Sequence, residues 1–130
     1  MIKQIISTAT APAVVGPYSQ GVRAGNLLFT AGQVALSPAT GKMVAGTIHD
    51  ETEQVMQNLH AVLQAAGTNF DNVVKSTVLL ASMADFAAMN EVYGRHMGDN
   101  PPARTTYQVA ALPRDARVEI DMVAIINDER

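Results

Sequence analysis

At 130 residues the chain has the length of one domain and can bury about two-thirds of the surface its unfolded form exposes. Nearly half of the residues are apolar (48%) but only 16% are charged, against about a quarter in ordinary soluble domains, so part of the surface is expected to be covered by other subunits. The absence of cysteine excludes disulfides, thiolate zinc sites and a cysteine nucleophile and fits a cytoplasmic chain, while a net charge of −3 with nine dispersed basic residues argues against sustained contact with a nucleic-acid backbone.

The N-terminal Met-Ile-Lys-Gln-Ile-Ile-Ser has one lysine and too short an apolar run for a signal peptide, and no stretch has the length of a membrane span. The chain is therefore expected to be soluble, unprocessed and without a membrane partner. Lys3 to Ile6 reads as a short edge strand, and Pro12, Gly16 and Pro17 then impose an irregular segment that carries Tyr18. Gly21 to Ala24 and Leu27 to Ala31 flank Gly25-Asn26 at the spacing of a hairpin. Pro38, Gly41 and Gly46 mark an irregular connection.

From Asp50 to Ala66 the period changes: Val55, Met56, Leu59, Val62, Leu63 and Ala66 recur every three or four residues, the pattern of a helix with one buried stripe. Asp50 or Thr47 can cap its start, Glu51 and Glu53 suit the positive end of its dipole, and Gly67 stops it. The β-branched Val73 to Leu80 reads as a central strand, and Asp85 to Met97, with Phe86, Met89, Val92 and Tyr93 on one side, as a second helix ending near Gly98. Pro101 to Ile126 reads as two strands joined by a Leu-Pro-Arg-Asp turn, with Arg104 and Glu119 on these adjacent strands.

Two helices for six strands, with right-handed crossovers, predict an α+β fold in which both helices cover one face of a mixed sheet. On the last strand the two-residue period sets Val118, Ile120, Met122, Ala124 and Ile126 against Arg117, Glu119, Asp121, Val123 and Ile125. If the first set meets the helices, Glu119, Val123 and Ile125 lie on a bare face that a homo-oligomer would cover.

Arg104, fixed between Pro-Pro-Ala and a β-branched pair, can clamp a carboxylate in a planar two-pronged contact, although a strand arginine is more often a structural ion-pair partner. Glu119 lies in an otherwise apolar strand, where a carboxylate is costly unless it is paired or working; partial burial would raise its pKa towards the range useful for proton transfer, and the alternative is a salt bridge to Arg104, Arg114 or Arg117. Tyr18 can wall a pocket or simply pack its loop, and Asn90 by default is a solvated helix position. His49, His60 and His96 are scattered without ligand spacing, so no metal is expected; the methionines read as core fillers. No nucleotide-binding or serine-hydrolase motif is present.

Ala-Pro-x-x-x-Gly-Pro-Tyr-Ser-Gln-Gly at 11–21, Thr-Ala-Gly-Gln at 30–33, Pro-Ala-Arg-Thr-Thr at 102–106 and Val-Glu-Ile-Asp at 118–121 together resemble the Rid family (YjgF type, also called the endoribonuclease L-PSP family) over nearly the whole chain. The resemblance implies a single chorismate-mutase-like α+β domain, a homotrimer with active sites in the clefts between subunits, and cofactor-independent hydrolysis of 2-imino acids such as 2-iminobutyrate and 2-iminopropionate to 2-keto acids and ammonia. It implies that Arg104 clamps the substrate carboxylate and that Glu119 orients and activates the attacking water, with Tyr18, Ala31, Gly32, Asn90 and Thr106 around them. Thr106 stands where the family's imine deaminases often have cysteine, and Ala31 where they have serine; both changes bear on the substrate side chain that fits. Two rivals remain: a ribonuclease or translation inhibitor, against which the acidic charge weighs, and a non-catalytic trimer that binds small carboxylates or acts as a chaperone-like surface.

Overall fold

A computed structural model describes residues 2–127. Three short strands open the chain, β1 (Lys3–Ile6), β2 (Gly21–Ala24) and β3 (Leu27–Thr30), followed by α1 (Ile48–Ala65), β4 (Val73–Leu80), α2 (Phe86–Met97), β5 (Ala103–Gln108) and β6 (Val118–Ile125). They form one six-stranded mixed sheet in the order β1-β2-β3-β6-β4-β5, antiparallel throughout except for the parallel β4–β5 pair. The β2–β3 hairpin turns at Gly25-Asn26 as its spacing predicts, with Ala24 opposite Leu27.

Helix α1 begins two residues before the expected Asp50, because Thr47 takes the cap. The Thr47 side chain accepts from the Asp50 amide at 3.3 Å, and the Asp50 carboxylate accepts in return from the Thr47 amide at 2.9 Å. These bonds to Thr47 hold the Asp50 pKa below its ordinary value. Gly46 permits the closure: its φ is +146°, and a Cβ there would lie 2.3 Å from the Asp50 Oδ2. Of the predicted stripe, Val55, Met56, Leu59, Val62 and Leu63 are buried completely, while Ala66 is half-buried at the C-cap.

Both helices pack on one face of the sheet. Leu28, Val78, Leu80, Val118, Ile120, Met122 and Ala124 meet the α1 stripe and Met89 and Tyr93 of α2 in a single core. The opposite face has no cover among the described residues. It carries Glu119, Asp121, Val123 and Ile125, half-buried, with Phe29 44% and Tyr107 49% exposed.

One expectation fails. β5 and β6 are not neighbours: β4 lies between them, paired parallel to β5 and antiparallel to β6. The physical reason lies in their side chains. Ala-Arg-Thr-Thr-Tyr-Gln is mostly exposed and suits an edge, whereas the alternating apolar residues of β6 gain most from an interior slot over α1. The Leu-Pro-Arg-Asp segment therefore turns the chain across a strand rather than closing a hairpin.

Candidate functional site

Glu119 is placed by two features. β6 points it to the uncovered face, and just beyond β3 Gln33 exchanges backbone hydrogen bonds with Ile120 at 2.9 and 3.1 Å, which lays Gly32 against the Glu119 side chain. A Cβ at Gly32 would stand 2.3 Å from Oε2 and 2.9 Å from Cδ of Glu119, so this close approach requires glycine. Among the described residues the carboxylate has no hydrogen bond or ion pair, and Arg104, Arg114 and Arg117 all leave it alone. The predicted alternative of a structural salt bridge is thus excluded for these partners. Burial first, and the charge of Asp121 second, push the Glu119 pKa up.

Arg117 serves structure instead. Its Nε donates to the nearly buried Glu51 carboxylate on α1, and its Nη2 donates to the Gly46 carbonyl, tying the start of β6 to the α1 cap.

Around Glu119 lies a cleft of about 570 Å³ lined by Tyr18, Ala31, Gly32, Pro113, Arg114 and apolar side chains including Val15 and Leu36. Tyr18 reaches it because its loop is fixed by Gln20. That buried amide donates to the carbonyls of Thr8 at 3.0 Å and Pro12 at 2.8 Å and accepts from the Thr8 amide at 2.7 Å, pinning the irregular segment to β2.

Arg104 is elsewhere. β5 pairs it with Ser76, whose side chain is buried under the helices, whereas Glu119 pairs across from Leu79 on the uncovered face. The two residues therefore point to opposite faces, and their backbones are roughly 10 Å apart across the sheet and roughly 10 Å apart along it. The guanidinium is held in a cage from α2: Nη1 donates to Asn90 Oδ1 at 2.8 Å, and Cζ lies 4.9 Å from the Tyr93 ring centroid and 5.6 Å from that of Phe86. Tyr93 is fixed from below by a 2.5 Å hydrogen bond with the buried Ser76 hydroxyl, and burial raises its pKa. A second cleft, of about 440 Å³, opens here between Asn90, Gly94, Gly98, Pro101, Pro102 and Arg104. Thr106 shares the Arg104 face of β5, and its hydroxyl is buried without a hydrogen-bond partner among the described residues.

The predicted residues thus fall into two half-sites. Tyr18, Ala31 and Gly32 gather around Glu119; Asn90 and Thr106 lie with Arg104. Sequence reasoning missed the Phe86–Tyr93–Ser76 support of Arg104 and the place of Arg114 in the Glu119 cleft; an arginine in the turn before a carboxylate-bearing strand was the available signal for the second. Among the described residues no group of three or more His, Asp or Glu side chains is placed to hold a metal ion.

A six-stranded mixed sheet with both helices on one side, a half-buried carboxylate on the other and an arginine caged at the edge defines a small α+β protein. The chain belongs to the Endoribonuclease L-PSP family, whose model matches residues 8–126. It is 49% identical to the 2-iminobutanoate/2-iminopropanoate deaminase of Mus musculus over 96% of this chain and 93% of the mouse protein. It is 47% identical to the chloroplastic Reactive Intermediate Deaminase A of Arabidopsis thaliana, over 95% of this chain but only 66% of the plant protein's length. The crystal structure of RidA from an Antarctic Psychrobacter superposes with a TM-score of 0.91 at 41% identity, covering 95% of this chain and 99% of that one. That of E. coli TdcF with bound serine superposes at 0.90 with 38% identity, covering 95% and 99%.

Proposed function

We propose that the chain is a cofactor-independent deaminase of reactive 2-imino acids, such as 2-iminobutyrate and 2-iminopropionate, and that it acts as a single-domain homotrimer in the cytoplasm. The observation that carries this reading is the half-buried carboxylate of Glu119, which has no hydrogen bond or ion pair among the described residues, in a family whose relatives include proteins named imine deaminases. No helix among the described residues is long and apolar enough to cross a membrane.

The chemistry is a hydrolysis. Arg104 holds the substrate carboxylate with its planar fork, and Glu119 takes a proton from water as the water oxygen bonds to the imine carbon. Glu119 passes that proton to the imine nitrogen, giving the neutral carbinolamine; its hydroxyl proton then follows the same route as the C=O bond forms and the C–N bond breaks, so ammonia leaves and the 2-keto acid remains. Imine hydrolysis is intrinsically easy, so fixing the carboxylate and one water in attack geometry supplies much of the acceleration.

One substrate cannot reach both groups within one chain, since they point to opposite faces. The working site is therefore formed between subunits, with Glu119, Tyr18, Ala31 and Gly32 from one chain and Arg104, Asn90 and Thr106 from its neighbour. The uncovered face, with Phe29, Val123, Ile125 and Tyr107, supplies the apolar surface for that assembly.

The test couples the protein to a threonine dehydratase and follows 2-ketobutyrate formation. Arg104→Ala and Glu119→Ala are each expected to lose acceleration while sedimenting as wild-type trimers. Full activity in either variant removes that residue from the mechanism. RNA cleavage that survives repurification and disappears in Glu119→Ala would move the reading to the endoribonuclease activity after which the family is called.

A further inference from the structure

We infer that Arg114 reads a second carboxylate on the substrate, so that the Glu119 cleft accepts dicarboxylic 2-imino acids of four or five carbons. The inference rests on the deaminase reading above. Arg114 lines the same cleft as Glu119 and Tyr18, and the rest of its lining is largely apolar, with Val15, Leu36 and Pro113 among it. Such a lining accepts the methylenes of a short side chain and leaves its terminal charge to the guanidinium.

Arg114 is exposed and, among the described residues, has no hydrogen bond or ion pair. Its counterparts are engaged: Arg95 with Glu91, Arg104 with Asn90, and Arg117 with Glu51. Arg114 and Glu119 share a cleft without meeting, and opposite charges held apart in this way fit the two ends of one ligand: the imine carbon at the carboxylate, the distal carboxylate at the fork.

The backbone keeps that arrangement. Arg114 and Asp115 both adopt left-handed φ angles, +57° and +55°, between the rigid Pro113 and the buried Ala116, whose amide closes the turn on the Pro113 carbonyl at 3.0 Å. Two successive non-glycine residues in this region need a surrounding structure that over-determines them, and here the turn sets where the arginine enters the cleft.

The reaction needs no new reactant: a dicarboxylic imine plus water gives the 2-keto diacid and ammonia. The class of enzyme that supplies such an imine is an oxidase acting on an acidic amino acid.

The experiment compares hydrolysis of 2-iminoglutarate and 2-iminobutyrate, each generated in situ by an amino-acid oxidase, in wild type, Arg114→Asn and Arg114→Lys. Asparagine tolerates the left-handed backbone, so the turn is retained, and lysine keeps the charge without the fork. In Arg114→Asn the ratio of kcat/KM for the diacid to that for the monoacid is expected to fall about tenfold or more, the scale of a charge-assisted contact, with Arg114→Lys between it and wild type. A ratio unchanged within about twofold overturns the inference, whether both rates fall together or neither does.

Binding of 2-oxoglutarate and 2-oxobutyrate, measured by calorimetry, separates this inference from the reading beneath it. Wild type that turns over neither imine but prefers 2-oxoglutarate, with the preference lost in Arg114→Asn, refutes the deaminase reading and keeps the role of Arg114. Equal binding of the two keto acids by wild type refutes the role of Arg114 whatever the turnover.

Discussion

Adding one methyl group at Gly32 should disable the site without unfolding the chain. The Cβ of Gly32→Ala would lie 2.3 Å from Glu119 Oε2, against the 3.4 Å at which ordinary contact begins, so the carboxylate must retreat by about 1 Å. Gly32 does not have a left-handed φ, and alanine meets no backbone strain there. The obstacle is a half-buried side chain on the uncovered face rather than the close-packed core, so the cost to stability should stay near the low end of the roughly 1–3 kcal/mol of overpacking substitutions. Catalysis is less forgiving, since a displacement of about 1 Å in a positioned group can reduce the rate about a hundredfold. In the dehydratase-coupled assay, Gly32→Ala is expected to lose about as much kcat/KM as Glu119→Ala while melting within a few degrees of wild type. Near-wild-type activity in Gly32→Ala would refute the claim that the seat of Glu119 against the Gly32 backbone positions the reaction.

Two further predictions concern charge. Because burial raises the Glu119 pKa, the folded chain holds that proton more tightly than the unfolded chain. The stability this confers is full below the unfolded value, about 4.3, and is lost as pH rises through the folded value. Glu119→Gln should therefore melt higher than wild type at pH 7, with the gap closing below about pH 4, while wild-type activity falls on the acid side with a midpoint above the ordinary glutamate value. Equal melting temperatures across that range would contradict the desolvation argument. Glu51→Ala leaves Arg117 without its carboxylate at the α1–β6 junction; since the arginine is 39% exposed, the expected loss is about 2 kcal/mol, below the ~3–5 kcal/mol of fully buried pairs, and denaturant unfolding measures it.

Much of this architecture was legible in periodicity. The α1 stripe marks its buried face in the sequence, and the alternation along β6 sets Glu119 apart from Val118 and Ile120. What local pattern does not encode is which strands pair. Chain adjacency pointed to β5 beside β6, but β6 takes the interior position and leaves the polar β5 at the edge, so β4 separates Arg104 from Glu119, and its register, with Ser76 opposite Arg104 and Leu79 opposite Glu119, sets them on opposite faces. Of the two cap candidates the sequence offers, Thr47 rather than Asp50 takes the role because Gly46 admits the Asp50 side chain, a contact between backbone and side chain that helical periodicity does not carry. The sequence offers Arg114 as a turn residue and as one of three candidate ion-pair partners of Glu119, not as a lining residue of its cleft. The entry of Arg114 into the Glu119 cleft follows from two left-handed residues in succession, a conformation that aspartate tolerates but arginine rarely adopts.

The division of the site between subunits is tested most directly by mixing two inactive chains. Arg104→Ala retains Glu119, and Glu119→Ala retains Arg104; co-refolded in equal amounts, they should recover about one-quarter of wild-type activity, because in a closed ring that fraction of interfaces joins an intact Glu119 to an intact neighbouring Arg104. If the mixture stays as inactive as its components although the subunits have exchanged, both groups act from one chain and the account is wrong.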